Sequence, residues 1–201
     1  MAWNAVHGHD RWVKVFEHVA RQKRLAHAYL FVGPHGVGKR LFALELAKTL
    51  LCEGRGDRFE ACGQCDACTL FDARTHPDFF QAGMPEEKNE FPMELMQEVC
   101  GNFSLKAARG KGKVALVEVA DALNEESANC FLKTLEEPPP GSVIILLAAS
   151  AESLLPTIRS RSHTVRFAPL SEKQVADIMR REGVDAALVE LGDVRMREGA
   201  A

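Results

Sequence analysis

The segment from residue 33 to residue 40 constrains the fold of this chain more than any other. It has the sequence Gly-Pro-His-Gly-Val-Gly-Lys-Arg and lies between an apolar run at 28–32 and a helical pattern that extends to Leu51. A glycine-rich turn between a strand and a helix is the context of a Walker A loop, whose backbone N–H groups and lysine hold phosphate groups. The candidate phosphate-binding residues are Gly33, Gly36, Gly38 and Lys39.

Strand-like and helical patterns alternate through the first 169 residues. Besides 28–32, strands are predicted at 78–82, 113–120, 142–149 and 163–167. Helices are predicted to begin near Phe91 and at Asp10 and Asn124, which serve as capping residues. The strands are apolar throughout, which is typical of a parallel sheet covered by helices on both faces. We therefore predict an α/β nucleotide-binding domain over residues 1–169.

The pattern changes after Pro169. A capping box, Ser171 to Gln174, opens a further helix, and no strand pattern follows it. We place a domain boundary there and predict that residues 170–201 begin a second, helical unit. About thirty residues are too few for an independent domain.

Composition and charge exclude several classes of protein. The formal net charge is −3 over 201 residues, so no overall basic field draws the chain to nucleic acid or membranes. The longest apolar run is much shorter than the roughly 20 residues of a membrane-spanning helix. The N-terminus has no basic segment followed by an apolar stretch, as a secretory signal would. These features predict a cytoplasmic protein without a membrane partner.

Two positions in the nucleotide site depart from what ATP hydrolysis requires. Arg40 stands where a serine or threonine hydroxyl would hold Mg²⁺, and a guanidinium has no acceptor atom. The strand at 113–120 offers Glu118 as the metal-binding acid, but Val119 stands where a residue must activate water. We expect little or no ATP turnover, and ATP binding that is weak or absent.

Four of the six cysteines are spaced as metal ligands. Cys62, Cys65 and Cys68 form two overlapping C-x2-C steps, and Cys52 lies ten residues before them. Four thiolates suit a tetrahedral Zn²⁺ with no open coordination position, so we predict a structural zinc site in an insertion over residues 52–68. A disulfide is disfavoured in a reducing compartment.

A run of basic residues precedes the third strand. It comprises Lys106, Arg109, Lys111 and Lys113, with no acidic residue among them. A solvated turn is the preferred interpretation, and contact with DNA phosphates is the alternative.

These features together resemble the bacterial clamp-loader proteins of the AAA+ class, which include the delta-prime and gamma/tau subunits of the DNA polymerase III holoenzyme. The matching stretches are the run 26–31, the four-cysteine insertion, the triplet 76–78, and the segments 103–106, 124–139 and 155–161. In that family, motor subunits keep the hydroxyl and both acids, whereas delta-prime subunits often lack them and do not hydrolyse ATP. Arg40, Glu118 and Val119 therefore favour the delta-prime type.

The resemblance also implies a role for Arg161. The segment Ser160-Arg161-Ser162 occupies the family's Ser-Arg-Cys motif, whose arginine enters the ATP site of the neighbouring subunit. Without that context, Arg159, Arg161 and Arg166 would be interpreted as a solvated basic edge.

The implied activity is that of an accessory subunit. The chain would help to load the sliding clamp onto primed DNA, with the gamma/tau and delta subunits as partners. The alternatives are an ATP-hydrolysing motor subunit and a zinc-stabilised nucleotide-binding module with another partner. Family members continue through a helical lid into a C-terminal helical collar. The resemblance implies that residues 170–201 are the first part of that lid, so we expect this sequence to be either a fragment or a shortened protein.

Overall fold

The chain forms a five-stranded parallel sheet flanked by helices. The computed structural model describes residue 3 and residues 6–84 and 91–181. The strands are β1 (Ala28–Val32), β2 (Phe79–Ala82), β3 (Val114–Val117), β4 (Val143–Ala148) and β5 (His163–Arg166), in the order β2-β3-β4-β1-β5. Every neighbouring pair is parallel. The predicted α/β class and parallel sheet are confirmed.

The helices alternate with these strands along the chain. They are α1 (Asp10–Arg21), α2 (Lys39–Leu51), α3 (Asp66–Asp72), α4 (Met93–Ser104), α5 (Glu125–Glu136), α6 (Pro156–Ser160) and α7 (Glu172–Arg181), with a 3₁₀ turn at Ala120–Ala122. None of the helices in the described ranges is long and apolar enough to cross a membrane.

The sheet is covered on both faces, as its apolar strands predict. In β1, Leu30 and Val32 pack into a core shared with α4 and α5. Tyr29 and Phe31, which point the other way, pack into a second core that includes Phe16 of α1 and Phe42 of α2. Successive side chains of a strand point to opposite faces, so one apolar strand supplies both cores.

Two of the three predicted helix starts with a capping residue are confirmed. The Asn124 side chain accepts a hydrogen bond from the Ser127 N–H at 2.9 Å. Ser171 and Gln174 form the reciprocal capping box, since the Gln174 side chain accepts from the Ser171 N–H at 2.8 Å. The prediction that Asp10 caps α1 is wrong by one residue. His9 occupies the cap, and Asp10 lies in the first turn, where its negative charge interacts favourably with the positive end of the helix dipole.

The basic run before β3 is more buried than a solvated turn would be. The Lys113 ammonium donates to the Asn102 carbonyl at 2.6 Å and lies 5.2 Å from the centre of the Phe80 ring. The Asp78 carboxylate, 1% exposed, accepts hydrogen bonds from the N–H groups of Ala108 and Arg109. The turn is therefore held from inside the fold, and Lys106 and Lys111 are its exposed cations.

The helical segment after Pro169 begins as predicted, with α7. Residues 182–201 of the predicted lid lie outside the described residues, and the boundary at 169/170 stays a prediction.

Candidate functional site: a phosphate loop, a cysteine cluster and an arginine

The phosphate loop follows the carboxyl end of β1 and leads directly into α2. Gly38 is the N-cap residue of α2 with φ +96°, a conformation that glycine adopts without the cost a Cβ would add. Gly33 passes so close to β5 that a Cβ there would lie 2.4 Å from the Phe167 carbonyl oxygen. The glycines thus allow the turn that brings the amino end of α2, with its unpaired N–H groups, to the cleft.

Lys39 is buried within this loop. Its ammonium donates to the carbonyl oxygens of Gly33 and Pro34, at 2.6 and 2.8 Å. Burial lowers the pKa of Lys39, and the nearby Asp121 carboxylate opposes that shift. The lysine that would reach outer phosphates is therefore bound to the backbone of its own loop.

Arg40 and Glu118 are brought together at the mouth of the same cleft. Arg40 Nε lies 2.5 Å from Glu118 Oε1, and the amide of Gln81 donates to the same oxygen at 2.6 Å. Arg40, which replaces the magnesium-binding hydroxyl, thus forms an ion pair with Glu118, the candidate metal-binding acid. Sequence analysis identified both side chains but not their contact, since 78 residues separate them.

Val119 and Asp121 define the rest of this cleft. Val119 lies beside the phosphate loop, as expected from its position after Glu118, and it has no group that could activate water. Asp121, which sequence analysis missed, lines the cleft and accepts a hydrogen bond from the Ala149 N–H at 3.0 Å. Its carboxylate connects the turn after β3 to the end of β4. The signal was present, because an acid shortly after an apolar strand lies at its carboxyl end.

These residues fit a phosphate group better than they fit a magnesium–nucleotide complex. The glycine turn and the helix end suit phosphate oxygens. A hard cation needs oxygen ligands, whereas here the carboxylate of Glu118 already accepts two hydrogen bonds and its neighbour is a cation. As they lie, the described residues offer magnesium neither a hydroxyl at position 40 nor an unpaired Glu118 carboxylate.

The four predicted cysteines converge on one point beside α2 and α3. All their sulfur atoms lie within 4.8 Å of one another. The Sγ atoms of Cys52 and Cys65 are 3.9 Å apart, and those of Cys62 and Cys68 are 4.0 Å apart. Four sulfurs bound at about 2.3 Å to one tetrahedral ion lie about 3.8 Å from each other. The cluster thus has the dimensions of a four-sulfur metal site.

The surroundings favour the thiolate at Cys62 and Cys65, where backbone hydrogen bonds lower the pKa, whereas burial raises the pKa of Cys52 and Cys68. Burial raises the pKa of the Cys65 thiol, but hydrogen bonds from backbone N–H groups outweigh it and lower the pKa to about 6. The Cys62 N–H donates to the Cys52 sulfur, and the Cys65 N–H donates to the Cys62 sulfur. Thiolates are the form that binds metal. The residues fit a structural ion, which would hold the insertion to the end of α2.

Arg161 lies apart from the phosphate loop. It follows α6 and precedes β5, whose first residue pairs with Tyr29. The phosphate loop follows the other end of β1, so the four-residue strand β5, about 13 Å long, separates the two positions. The Arg161 guanidinium pairs with Glu136 of α5 at 2.7 Å and donates to the Thr157 carbonyl. The side chain is 36% exposed, so it is held at the surface.

Comparison with curated proteins gives consistent relatives. Residues 8–171 match the family model described as "DNA polymerase III, delta subunit". The DNA polymerase III subunit delta' of Pseudomonas aeruginosa is 43% identical over 136 residues, which are 68% of this chain and 41% of that protein. The delta' subunit of Escherichia coli K12 is 32% identical over 174 residues, 87% of this chain and 52% of that protein. The chain spans about half the length of these relatives.

Related subunits and solved structures extend the comparison. The tau/gamma subunit of Haemophilus influenzae is 32% identical over 191 residues, 92% of this chain and 27% of that protein. A gamma subunit-related protein of Thermotoga maritima superposes with a TM-score of 0.58 at 20% identity, over 84% of this chain and 49% of that one. The RuvB branch migration motor of the same organism gives 0.53 at 13% identity, over 86% and 48%. These two structures show the shared fold alone. By sequence, the chain belongs to the DNA polymerase III delta/delta' subunit family, the clamp-loader proteins related to gamma/tau.

Proposed function

We propose that this chain is a non-hydrolysing clamp-loader subunit of bacterial DNA polymerase III, which works in the cytoplasm and helps to load the sliding clamp onto primed DNA. The ion pair between Arg40 and Glu118 is the observation that carries this proposal. A motor subunit needs a hydroxyl and a carboxylate free to hold magnesium, and here those two positions neutralise each other. A motor subunit also needs a group that activates water, and Val119, which stands at that position, has none.

Arg161 is the residue that acts on a neighbouring subunit in this proposal. It lies at the amino end of β5, away from the chain's own phosphate loop, and its guanidinium remains partly exposed. A planar, permanently charged guanidinium stabilises charge on a transferring phosphoryl group. The partners are the gamma/tau and delta subunits, and contact with the clamp and DNA occurs through the complex.

The metal in this proposal is zinc. The sulfur separations match a closed tetrahedral site, and thiolates are preferred ligands of Zn²⁺. Cys52 ends α2, so the ion ties the insertion to the helix that begins at the phosphate loop. Its role is structural, because four protein sulfurs leave no position for a substrate.

ATP turnover by the metal-loaded chain is the first test. The chain alone should release no more phosphate than its Lys39→Ala variant. Turnover that Lys39→Ala abolishes would instead make the chain a motor subunit and would overturn the proposal.

The second test addresses the role of Arg161 in trans. The chain is mixed with gamma/tau and delta subunits, and ATPase activity of the mixture is measured. Arg161→Ala should lower the chain-dependent part of that activity at least tenfold, an effect typical of lost transition-state contacts. Arg159→Ala is the matched control, since it removes an exposed arginine of α6, two residues before Arg161, and should leave the activity unchanged. Equal effects of both variants would contradict an assigned role for Arg161.

A further inference from the structure

A second cleft lies at the amino ends of the strands, whereas the phosphate loop lies at their carboxyl ends. It opens among the residues that precede β1, β3 and β4 and has a volume of about 490 Å³. Its apolar wall includes Leu25, Leu51 and Pro139. This size falls within the range of pockets that hold small molecules.

The charged side chains that line this cleft are all cationic or imidazole. They are Lys23, His27, Arg55, Lys111 and Lys113. No carboxylate is among the described residues of the lining. Lys113 contributes only its stem, because its ammonium is bound to Asn102, but Lys23 and Lys111 make no ion pair within 4 Å in the described part of the chain. Glu53, an acid whose pKa Lys111 helps to lower, is already bound in a two-point contact by Arg109.

Ser142 provides an independent observation in the same place. It lines the cleft, is only 6% exposed, and its hydroxyl has no hydrogen-bond partner among the described residues. A buried hydroxyl without a partner is destabilising, because it has lost its hydrogen bonds to water. A ligand in the cleft that reached this hydroxyl would complete its hydrogen bonding.

The backbone conformation of Lys23 also supports a binding role for this cleft. Lys23 adopts φ +54°, a left-handed conformation that is unfavourable for a residue with a Cβ atom. A glycine would end α1 there without that cost. The fold thus keeps a cation at the rim of the cleft at the expense of stability.

We propose that this cleft, formed by Lys23, Arg55, Lys111 and Ser142, is a second anion site that binds the phosphate groups of a small phosphorylated molecule of about mononucleotide size. The cations neutralise the phosphates, and the leucine and proline wall receives the apolar part of the ligand. Single-stranded nucleic acid is disfavoured, because sites for it carry aromatic side chains on which bases stack, and none lines this cleft in the described residues.

The test uses calorimetric titration of the metal-loaded chain with ATP and, separately, with tripolyphosphate. All proteins carry Lys39→Ala, which weakens the phosphate loop as a competing site. We expect 1:1 binding of both probes, weakened by added salt. Lys23→Gly and Lys111→Ala should each weaken binding about tenfold. Lys14→Ala, an exposed lysine on the outer side of α1, is the matched control and should change binding less than twofold.

Two variants keep the test interpretable if binding is lost. Lys23→Gly suits the left-handed backbone, and Ser142→Ala removes the unpaired hydroxyl, so both should fold with an unchanged or higher Tm while binding more weakly. Absence of saturable binding at 1 mM of either probe, or equal binding by the Lys23→Gly, Lys111→Ala and Lys14→Ala proteins, would overturn the proposal. So would a clear preference for a 5′-phosphorylated oligonucleotide over ATP.

Discussion

Arg40 and Glu118 form an ion pair beside the phosphate loop, at the place where magnesium would bind in a hydrolytic site. Arg40 lies in the first turn of α2, Glu118 follows β3, and Gln81 near the end of β2 donates to the same carboxylate oxygen. Three neighbouring elements thus meet at a point where a hydrolytic site would hold magnesium. The ion pair joins these elements, so its two side chains are not free to hold a metal. The glycine turn before α2 still has the shape that holds a phosphate group.

Replacing Arg40 should change how magnesium affects nucleotide binding. In Arg40→Thr, a hydroxyl and a released Glu118 carboxylate become available, so Mg²⁺ should strengthen ATP binding several-fold, whereas it should not do so in the unmodified chain. Titration with and without Mg²⁺ measures this difference. Hydrolysis should stay at the level of Lys39→Ala, because Val119 still cannot activate water. Phosphate release by Arg40→Thr alone would contradict this account.

Removal of one cysteine ligand should release the metal and loosen the insertion. We expect about one zinc ion per chain, measured by mass spectrometry after dialysis, and clearly less in Cys65→Ser. The Tm should fall by several degrees, because binding of a structural metal contributes directly to folding. Cys130→Ala, which lies outside the cluster, should retain the full metal content. Equal metal content in both variants would show that these sulfurs are not the ligands.

Asp78 should contribute more to stability than an exposed acid does. Its buried carboxylate accepts two backbone N–H groups, so Asp78→Ala leaves both without partners and should lower the free energy of unfolding by about 2–4 kcal/mol. Asp72→Ala is the comparison, since its ion pair with Lys48 is exposed on the acid's side and should cost less than about 1 kcal/mol. Urea unfolding measures both. Similar losses would refute the assigned role of Asp78.

His76 should make the fold less stable as the solution becomes acidic. Burial lowers the pKa of His76 below its usual value of about 6.5, since Nδ1 accepts the Asp78 N–H and Nε2 is enclosed. The unfolded chain therefore binds the proton first, and stability is lost as pH falls from about 6.5 towards the lower pKa of the folded state. Between pH 7.5 and 5.5, the unmodified chain should lose up to about 1 kcal/mol more than His76→Gln in urea unfolding. Identical pH slopes for the two proteins would exclude His76 as the cause.

Glu136 should restrain Arg161 rather than hold the fold together. The pair is half exposed, so Glu136→Gln should change the free energy of unfolding by less than about 1 kcal/mol. In the mixture with gamma/tau and delta subunits, the freed guanidinium should give equal or higher ATPase activity. A loss as large as that of Arg161→Ala would show instead that the ion pair is needed to position the arginine.

The order of helices and strands follows from local sequence pattern, and most of it was predicted on that basis. Continuous apolar runs specify buried strands such as β1 and β4. The glycine turn at 33–38 is typical of the junction between a strand and a helix in a phosphate loop. The C-x2-C steps likewise bring sulfurs together over a few residues, so the cysteine cluster was predicted in full. The N-cap at His9 was missed, because Asp10 is the stronger capping residue by type and the first turn also accommodates it.

The amino-acid sequence by itself thus determined the parallel α/β architecture, the phosphate loop and the four-cysteine cluster, since each depends on spacing within a short segment. Only the tertiary structure decided that Arg40 neutralises Glu118 and that Asp121 holds the end of β4. It also decided that the Ser142 hydroxyl, which has no partner among the described residues, lies beside a basic cleft. The two contacts join residues 78 and 28 positions apart. They are set by how the strands align in the sheet, which local hydrophobic pattern does not specify.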